Sequence, residues 1–141
     1  MAEELRFVLT DVLDDEAHTT VGVGIRQYNV DQAGETNHRR LCCFLYDPDD
    51  QVLAGLIGAT FWDWFYLDLL WVREDLRGQG LGRQLVEEAE AEARRRGAKG
   101  AYLDTFSFQA PGFYEKMGYQ VFGELPEFPG RHRRYFYTKT L

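Results

Sequence analysis

Residues 66–96 carry the order that most restricts the fold: an apolar run, "YLDLLWV" (66–72), then "LRGQGLGRQL" (76–85), then a segment of helical periodicity. From Gly80 to Arg96, Leu81, Leu85, Ala89 and Ala93 recur every four residues and predict one apolar helix face. Glu90 with Arg94, and Glu92 with Arg96, stand at i,i+4 spacing and predict favourable ion pairs. Arg94, Arg95 and Arg96 suit the negative end of the helix dipole, and Gly97 suits its stop. The start is unusual. Gly78, Gly80 and Gly82 occupy alternate positions between Arg77 and Arg83, and the first acid of the helix is Glu87. The N–H groups of the first turn therefore lack a carboxylate of their own. Two readings follow: a tight turn, or a site where glycines without Cβ let an external anion reach those N–H groups. Arg83 and Gln84 stand where a Walker loop needs Lys and Ser or Thr. The G-x-G-x-G spacing is not the G-x-G-x-x-G of a dinucleotide fold.

The rest of the chain supplies strands around this unit. "LRFVLT" (5–10) predicts a first strand, and Val21, Ile25 and Tyr28 predict a helix over 17–30 that Gly22 and Gly24 weaken. "LCCFLY" (41–46) and "QVLAGLIGATF" (51–61) flank the turn cluster "DPDD" and predict a hairpin; "WDW" predicts the next turn. "GAYLDTF" (100–106) predicts a strand, and "PGFYEKM" a short helix entered through its proline and stopped by Gly118. "YQVFG" and "RYFYTKTL" predict the last two strands. The expected fold is one α/β domain over residues 1–141 with a mixed sheet.

Composition removes several functions. With 141 residues and 45% hydrophobic content the chain has room for one sizeable core. A net charge of −7 argues against a nucleic-acid binder, despite "RHRR" at 131–134. No stretch approaches a membrane span, and the acidic N-terminus lacks the form of a signal peptide. Cys42 and Cys43 are adjacent and suit free thiols, which fits a cytoplasmic location. His18, His38 and His132 have no ligand spacing, so no metal is expected.

"RGQGLG" resembles the Q/R-x-x-G-x-G/A motif of the GNAT superfamily of N-acetyltransferases through Arg77, Gly80 and Gly82. About thirty residues later, "APGFYEKMGYQVFGEL" resembles the second signature of that family through Ala110, Phe113, Tyr114, Lys116, Gly118 and Tyr119. The resemblance covers residues 41–141 well and the first forty loosely. It implies a mostly antiparallel mixed sheet flanked by helices, splayed between the strands at 66–72 and 101–106, the fourth and fifth when 5–10 is counted first. It implies acetyl-coenzyme A as co-substrate. Its pantetheine would run along Leu70, Trp71 and Val72, and its pyrophosphate would sit on the turn of Arg77, Gly78, Gln79, Gly80, Leu81, Gly82 and Arg83. Ser107 stands where the family often has a cofactor-touching asparagine, and Tyr114 and Lys116 complete the implied cofactor contacts.

The implied reaction is attack of a neutral amine on a thioester carbonyl. Tyr114 matches the family's usual tyrosine acid, which protonates the leaving thiolate; its other reading is packing of the short helix. Asp68 is a carboxylate in an otherwise apolar strand. Burial would raise its pKa and fit it to accept the amine proton; its other reading is a structural carboxylate. Asp104 is expected to be structural. "FWDWFY" (61–66) reads as a packed hairpin tip, an acceptor pocket or a homodimer contact, and "RHRR" as a solvated loop or a contact to an acidic acceptor or cofactor phosphate. The short chain leans toward a small-molecule amine acceptor. The rival functions are an acyl-coenzyme A sensor of the same fold and a protein N-acetyltransferase.

Overall fold

The computed structural model describes residues 4–141. Two compact units divide the chain after Thr36. The first holds one helix, α1 (Asp15–Ala33). Asp14 caps it by accepting a hydrogen bond from Glu16 N, and the Gly34 N–H closes it on Val30 O at 2.8 Å. Gly22 and Gly24 do not break a helix closed at both ends. The expected strand at 5–10 is not formed. Its apolar pattern is that of a strand, but a strand exists only where it is paired, and no ladder includes these residues.

The second unit is a six-stranded sheet in the order β1-β2-β3-β4-β6-β5. Its elements are β1 (Arg39–Tyr46), β2 (Val52–Phe61), β3 (Trp64–Val72), α2 (Leu81–Arg95), β4 (Gly100–Phe106), α3 (Pro111–Lys116), β5 (Gln120–Leu125) and β6 (Arg134–Thr140). Every ladder is antiparallel except β3 with β4. Asp47 builds the first turn by accepting from Asp49 N and Gln51 N. Trp62 and Asp63, both at positive φ, make the second, so "FWDWFY" is a hairpin tip and the start of β3.

Helix α2 lays Leu85, Val86, Ala89 and Ala93 into the core with Leu56, Phe65, Leu67 and Leu103 of the sheet. Its end is clamped by Arg96, which bonds Glu92 at 2.9 Å and donates to the carbonyl of Arg40 and to Thr60 Oγ1. The expected Glu90–Arg94 pair is absent. Glu90 points inward instead, only 2% exposed, and takes its partners from the strands.

One irregularity shapes the sheet. Along β2 and β3, Ile57 pairs with Leu69 and Gly58 with Leu67, so Asp68 is an extra residue in β3. A bulge of this kind bends and twists its strand. Gly58 permits it: a Cβ there would lie 2.4 Å from Tyr66 O and 2.8 Å from Phe65 Cε1. Pairing of β3 with β4 ends at Tyr66–Tyr102, two residues before the bulge. Beyond that point β3 and β4 part, and the sheet opens as a V.

Candidate active site

The opening between the strands is a cleft of about 860 Å³. Its walls are β3 from Leu67 to Val72, the glycine turn, Asp104 and Thr105 of β4, and α3. Three elements converge where β3 ends. An added Cβ on Gly82 would stand 3.5 Å from Phe113 of α3 and 3.7 Å from Val72 of β3.

The glycine turn has the properties of an anion site. Gly80 is the N-cap of α2 at φ 82°, ψ 9°, in the left-handed region that favours glycine. No side chain caps the helix and its first turn holds no acid. The first N–H to bond back into the helix is that of Gln84, to Gly80 O at 3.0 Å. The earlier N–H groups are thus left for an external acceptor. Arg77 anchors the turn by donating from Nε to Val72 O at 2.8 Å, and Arg83 pairs with Glu87 at 2.8 Å. Both line the cleft, as does Lys116. The donor set therefore fits a pyrophosphate.

The opposite charge sits on the strands. Asp68, at the bulge, and Asp104 line the same cleft. Asp104 is held by Arg134, at 2.7 Å from Nη2 and 2.9 Å from Nε. That guanidinium also lies 5.3–5.5 Å from the rings of Phe106, Phe128 and Phe136. Among the described residues no cation pairs with Asp68 in this way. Two residues before each carboxylate, at the last β3–β4 pair, Tyr66 stacks on Tyr102 at 4.8 Å. Its pKa is raised by burial and then by the charges of Asp104 and Asp68.

Tyr114 lies in α3 with its ring buried, and its hydroxyl has no hydrogen-bond partner among the described residues. Desolvation, and then the negative charge of Asp104, push its pKa up to about 12. It is therefore a neutral donor at any physiological pH.

A family model, described as the acetyltransferase (GNAT) family, matches residues 9–119. The chain belongs to the GNAT acetyltransferase family. It is 40% identical over 121 residues to acetyltransferase Atu2258 of Agrobacterium fabrum, covering 86% of this chain and 88% of that one. It is 44% identical over 80 residues to the blasticidin-S acetyltransferase of Streptomyces morookaense, covering 56% and 59%. A crystal structure of an acetyltransferase from Bacillus cereus superposes with a TM-score of 0.87 at 28% identity, over 95% of this chain and 98% of that one. The protein is thus a GNAT N-acetyltransferase of α/β fold.

The cleft gathers most of the residues singled out from sequence: Asp68, Leu70, Trp71, Val72, Arg77, Gly78, Gly80, Leu81, Gly82, Arg83, Tyr114 and Lys116 all line it. Gln79 and Ser107 do not. Ser107 is tied to the loop before β6: its Oγ accepts from Arg133 N and its N–H donates to Arg133 O. Two expectations are corrected. Asp68 is exposed, not buried, because the bulge turns it out of the sheet's packing, so the burial argument for a strong base fails. Arg134 of "RHRR" is half-buried against Asp104, and Arg133 is paired with Glu124, so the run is not simply a solvated loop. The sequence reading missed Thr105, Phe108 and Gln109 as cleft residues. No motif marks them. Gln109 Oε1 accepts from Thr105 Oγ1 and Phe106 N, which folds the turn after β4 back on its strand and brings these residues to the cleft.

Among the described residues no helix is long and apolar enough to cross a membrane, and no group of His, Cys, Asp and Glu is arranged to hold a metal.

Proposed function

We propose that the protein transfers the acetyl group of acetyl-coenzyme A to a primary amine of a small cationic molecule, by direct attack in a ternary complex. The observation that carries this reading is the charge division of one cleft. Arg77, Arg83, Lys116 and an uncapped helix start provide its basic part, and Asp68 its acidic part, beside Asp104, whose charge Arg134 already pairs. A pyrophosphate suits the first and an ammonium group the second. The relative from Streptomyces morookaense is named for blasticidin S, which supports a small-molecule acceptor.

When bound, acetyl-coenzyme A supplies the activated acyl group. A C–N bond forms and the C–S bond breaks; starting from the ammonium form the nitrogen loses two protons, one before attack and one after it, and the departing sulfur takes one up from solvent. Asp68 attracts the protonated amine and accepts its proton, directly or through water. Tyr114 offers its hydroxyl to the sulfur. Its pKa of about 12 lies above the ~8.5 of a thiol, so complete transfer of its proton to a thiolate is uphill by roughly 5 kcal/mol. Tyr114 accordingly acts by hydrogen bonding to the charge that develops on sulfur, rather than by giving its proton away. The basic turn would hold the pyrophosphate, and Leu70, Trp71 and Val72 would flank the pantetheine.

The test is release of coenzyme A thiol from acetyl-coenzyme A in the presence of blasticidin S, an aminoglycoside, spermidine and a peptide with a free N-terminus. Turnover with a small cationic amine and not with the peptide is expected. Tight coenzyme A binding without turnover of any amine would instead favour an acyl-coenzyme A sensor, and turnover of the peptide alone a protein N-acetyltransferase.

A further inference from the structure

Helix α3 carries Tyr114, yet it is six residues long and its N-cap, Ala110, makes no side-chain capping bond. A helix this short has no stability of its own, so its position must come from what surrounds it. Its C-terminus is closed by a Schellman motif. Gly118, at φ 93°, donates to Glu115 O at 3.0 Å, and Tyr119 N donates to Tyr114 O at 3.0 Å. This closure brings the two tyrosine rings edge to face, 5.9 Å apart.

Tyr119 is itself anchored. Its hydroxyl donates to Glu90 Oε2 at 2.8 Å. Glu90 is buried in the middle of α2, and Lys139 of β6 donates to its Oε1 at 3.0 Å and lies 3.0 Å from Oε2. The Lys139 ammonium also stands 5.4 Å from the centre of the Tyr119 ring. A buried carboxylate is costly unless it is paired and hydrogen-bonded, and here both oxygens are engaged. The same helix thus offers its uncapped start to the cleft and, through Glu90, grips the residue that closes α3.

We propose that Glu90 and Tyr119 are positioning residues: they hold Tyr114 in place against the cleft through the Schellman closure of α3. This rests on the reading of Tyr114 as the donor to the coenzyme A sulfur. Tyr119→Phe keeps the ring and removes only the anchor. Glu90→Gln keeps an oxygen that can accept from Tyr119, while Glu90→Ala removes it.

The experiment uses protein carrying tyrosine labelled with carbon-13 at Cζ, with the Tyr114 signal assigned by its loss in Tyr114→Phe. Coenzyme A is the probe, so no acceptor is needed. The expected result is a single Tyr114 resonance that shifts on adding coenzyme A. In Tyr119→Phe and Glu90→Ala that resonance broadens or splits and its response to coenzyme A shrinks, while Glu90→Gln restores it. Coenzyme A affinity by calorimetry should be unchanged in Tyr119→Phe, because the glycine turn provides it. A Tyr114 signal that responds equally in wild type and Tyr119→Phe overturns the positioning role alone. A wild-type Tyr114 signal blind to coenzyme A overturns the placement of Tyr114 and the positioning role with it. A large loss of affinity in Tyr119→Phe shows that the network acts on the glycine turn instead, and also overturns the proposal.

Discussion

Gly58→Ala should damage both the fold and the cleft. The added methyl would sit 2.4 Å from Tyr66 O and 2.8 Å from Phe65 Cε1. A carbon–oxygen contact relaxes to about 3.3 Å, so β2 and β3 must separate by roughly 0.9 Å at the bulge. Phe65 is fully buried and cannot swing away. Overpacking of this kind costs about 1–3 kcal/mol. Stretching one or two ladder hydrogen bonds past their useful length adds about 1 kcal/mol each. The sum is roughly 2–5 kcal/mol. At about 2.1 cal/mol/K of unfolding entropy per residue, the 141 residues give about 0.3 kcal/mol/K. The melting temperature should then fall by roughly 7–17 °C. Gly123→Ala is the control. It lies in β5, where an added Cβ meets nothing closer than Phe136 at 3.9 Å, so it should shift the melting temperature little. Calorimetry of both variants, followed by coenzyme A titration, is the assay. Because the bulge opens the V, Gly58→Ala should also bind coenzyme A more weakly. A Gly58→Ala protein that melts like wild type would refute the argument that close approach at the bulge requires glycine.

Tyr114→Phe should lower kcat by roughly 100- to 1000-fold, as expected for losing one hydrogen bond to a developing charge, with little change in coenzyme A affinity, as steady-state kinetics with an active amine will show. Asp68→Asn should lose activity most at low pH and recover as the amine becomes neutral; an unaltered pH–rate profile would remove Asp68 from proton transfer. In alkali, stability should fall through tyrosine ionisation. Tyr114 and Tyr137 are pushed up to about 12 and Tyr119 is raised as well. A raised folded pKa gives stability that is complete below the unfolded value near 10 and is lost as pH climbs through 12, about 3 kcal/mol for Tyr114 alone. Ultraviolet titration of the eight tyrosines should show a late group that ionises only with unfolding.

Much of this architecture is legible in the sequence because it is local. The period of Leu81, Leu85, Ala89 and Ala93 announces α2, and the alternate glycines with a late first acid announce its open end. The hairpin turns are written in Asp47 and in the WDW tip. What escapes is set by pairing between distant residues. Residues 5–10 have a strand's pattern but belong to no ladder. The bulge at Asp68 is hidden because Leu67, Leu69 and Leu70 are apolar on both sides of it, leaving no alternation whose break could be seen. Glu90 reads as half of an i,i+4 pair with Arg94; only the fold brings it to Tyr119 and Lys139, 29 and 49 positions away.

The central claim is that the uncapped start of α2 receives the pyrophosphate of coenzyme A, and two substitutions of one residue test it. Gly80 has a left-handed backbone, which Asn and Asp tolerate better than other side chains. Gly80→Asn and Gly80→Asp differ by little more than one negative charge. An aspartate there sets its negative charge at the positive end of the helix, where an anion would otherwise sit. Gly80→Asp should therefore melt no lower than Gly80→Asn, yet bind coenzyme A at least about 10-fold more weakly in calorimetric titration, a difference of roughly 1.4 kcal/mol or more. Equal coenzyme A affinity in the two folded variants would contradict the claim.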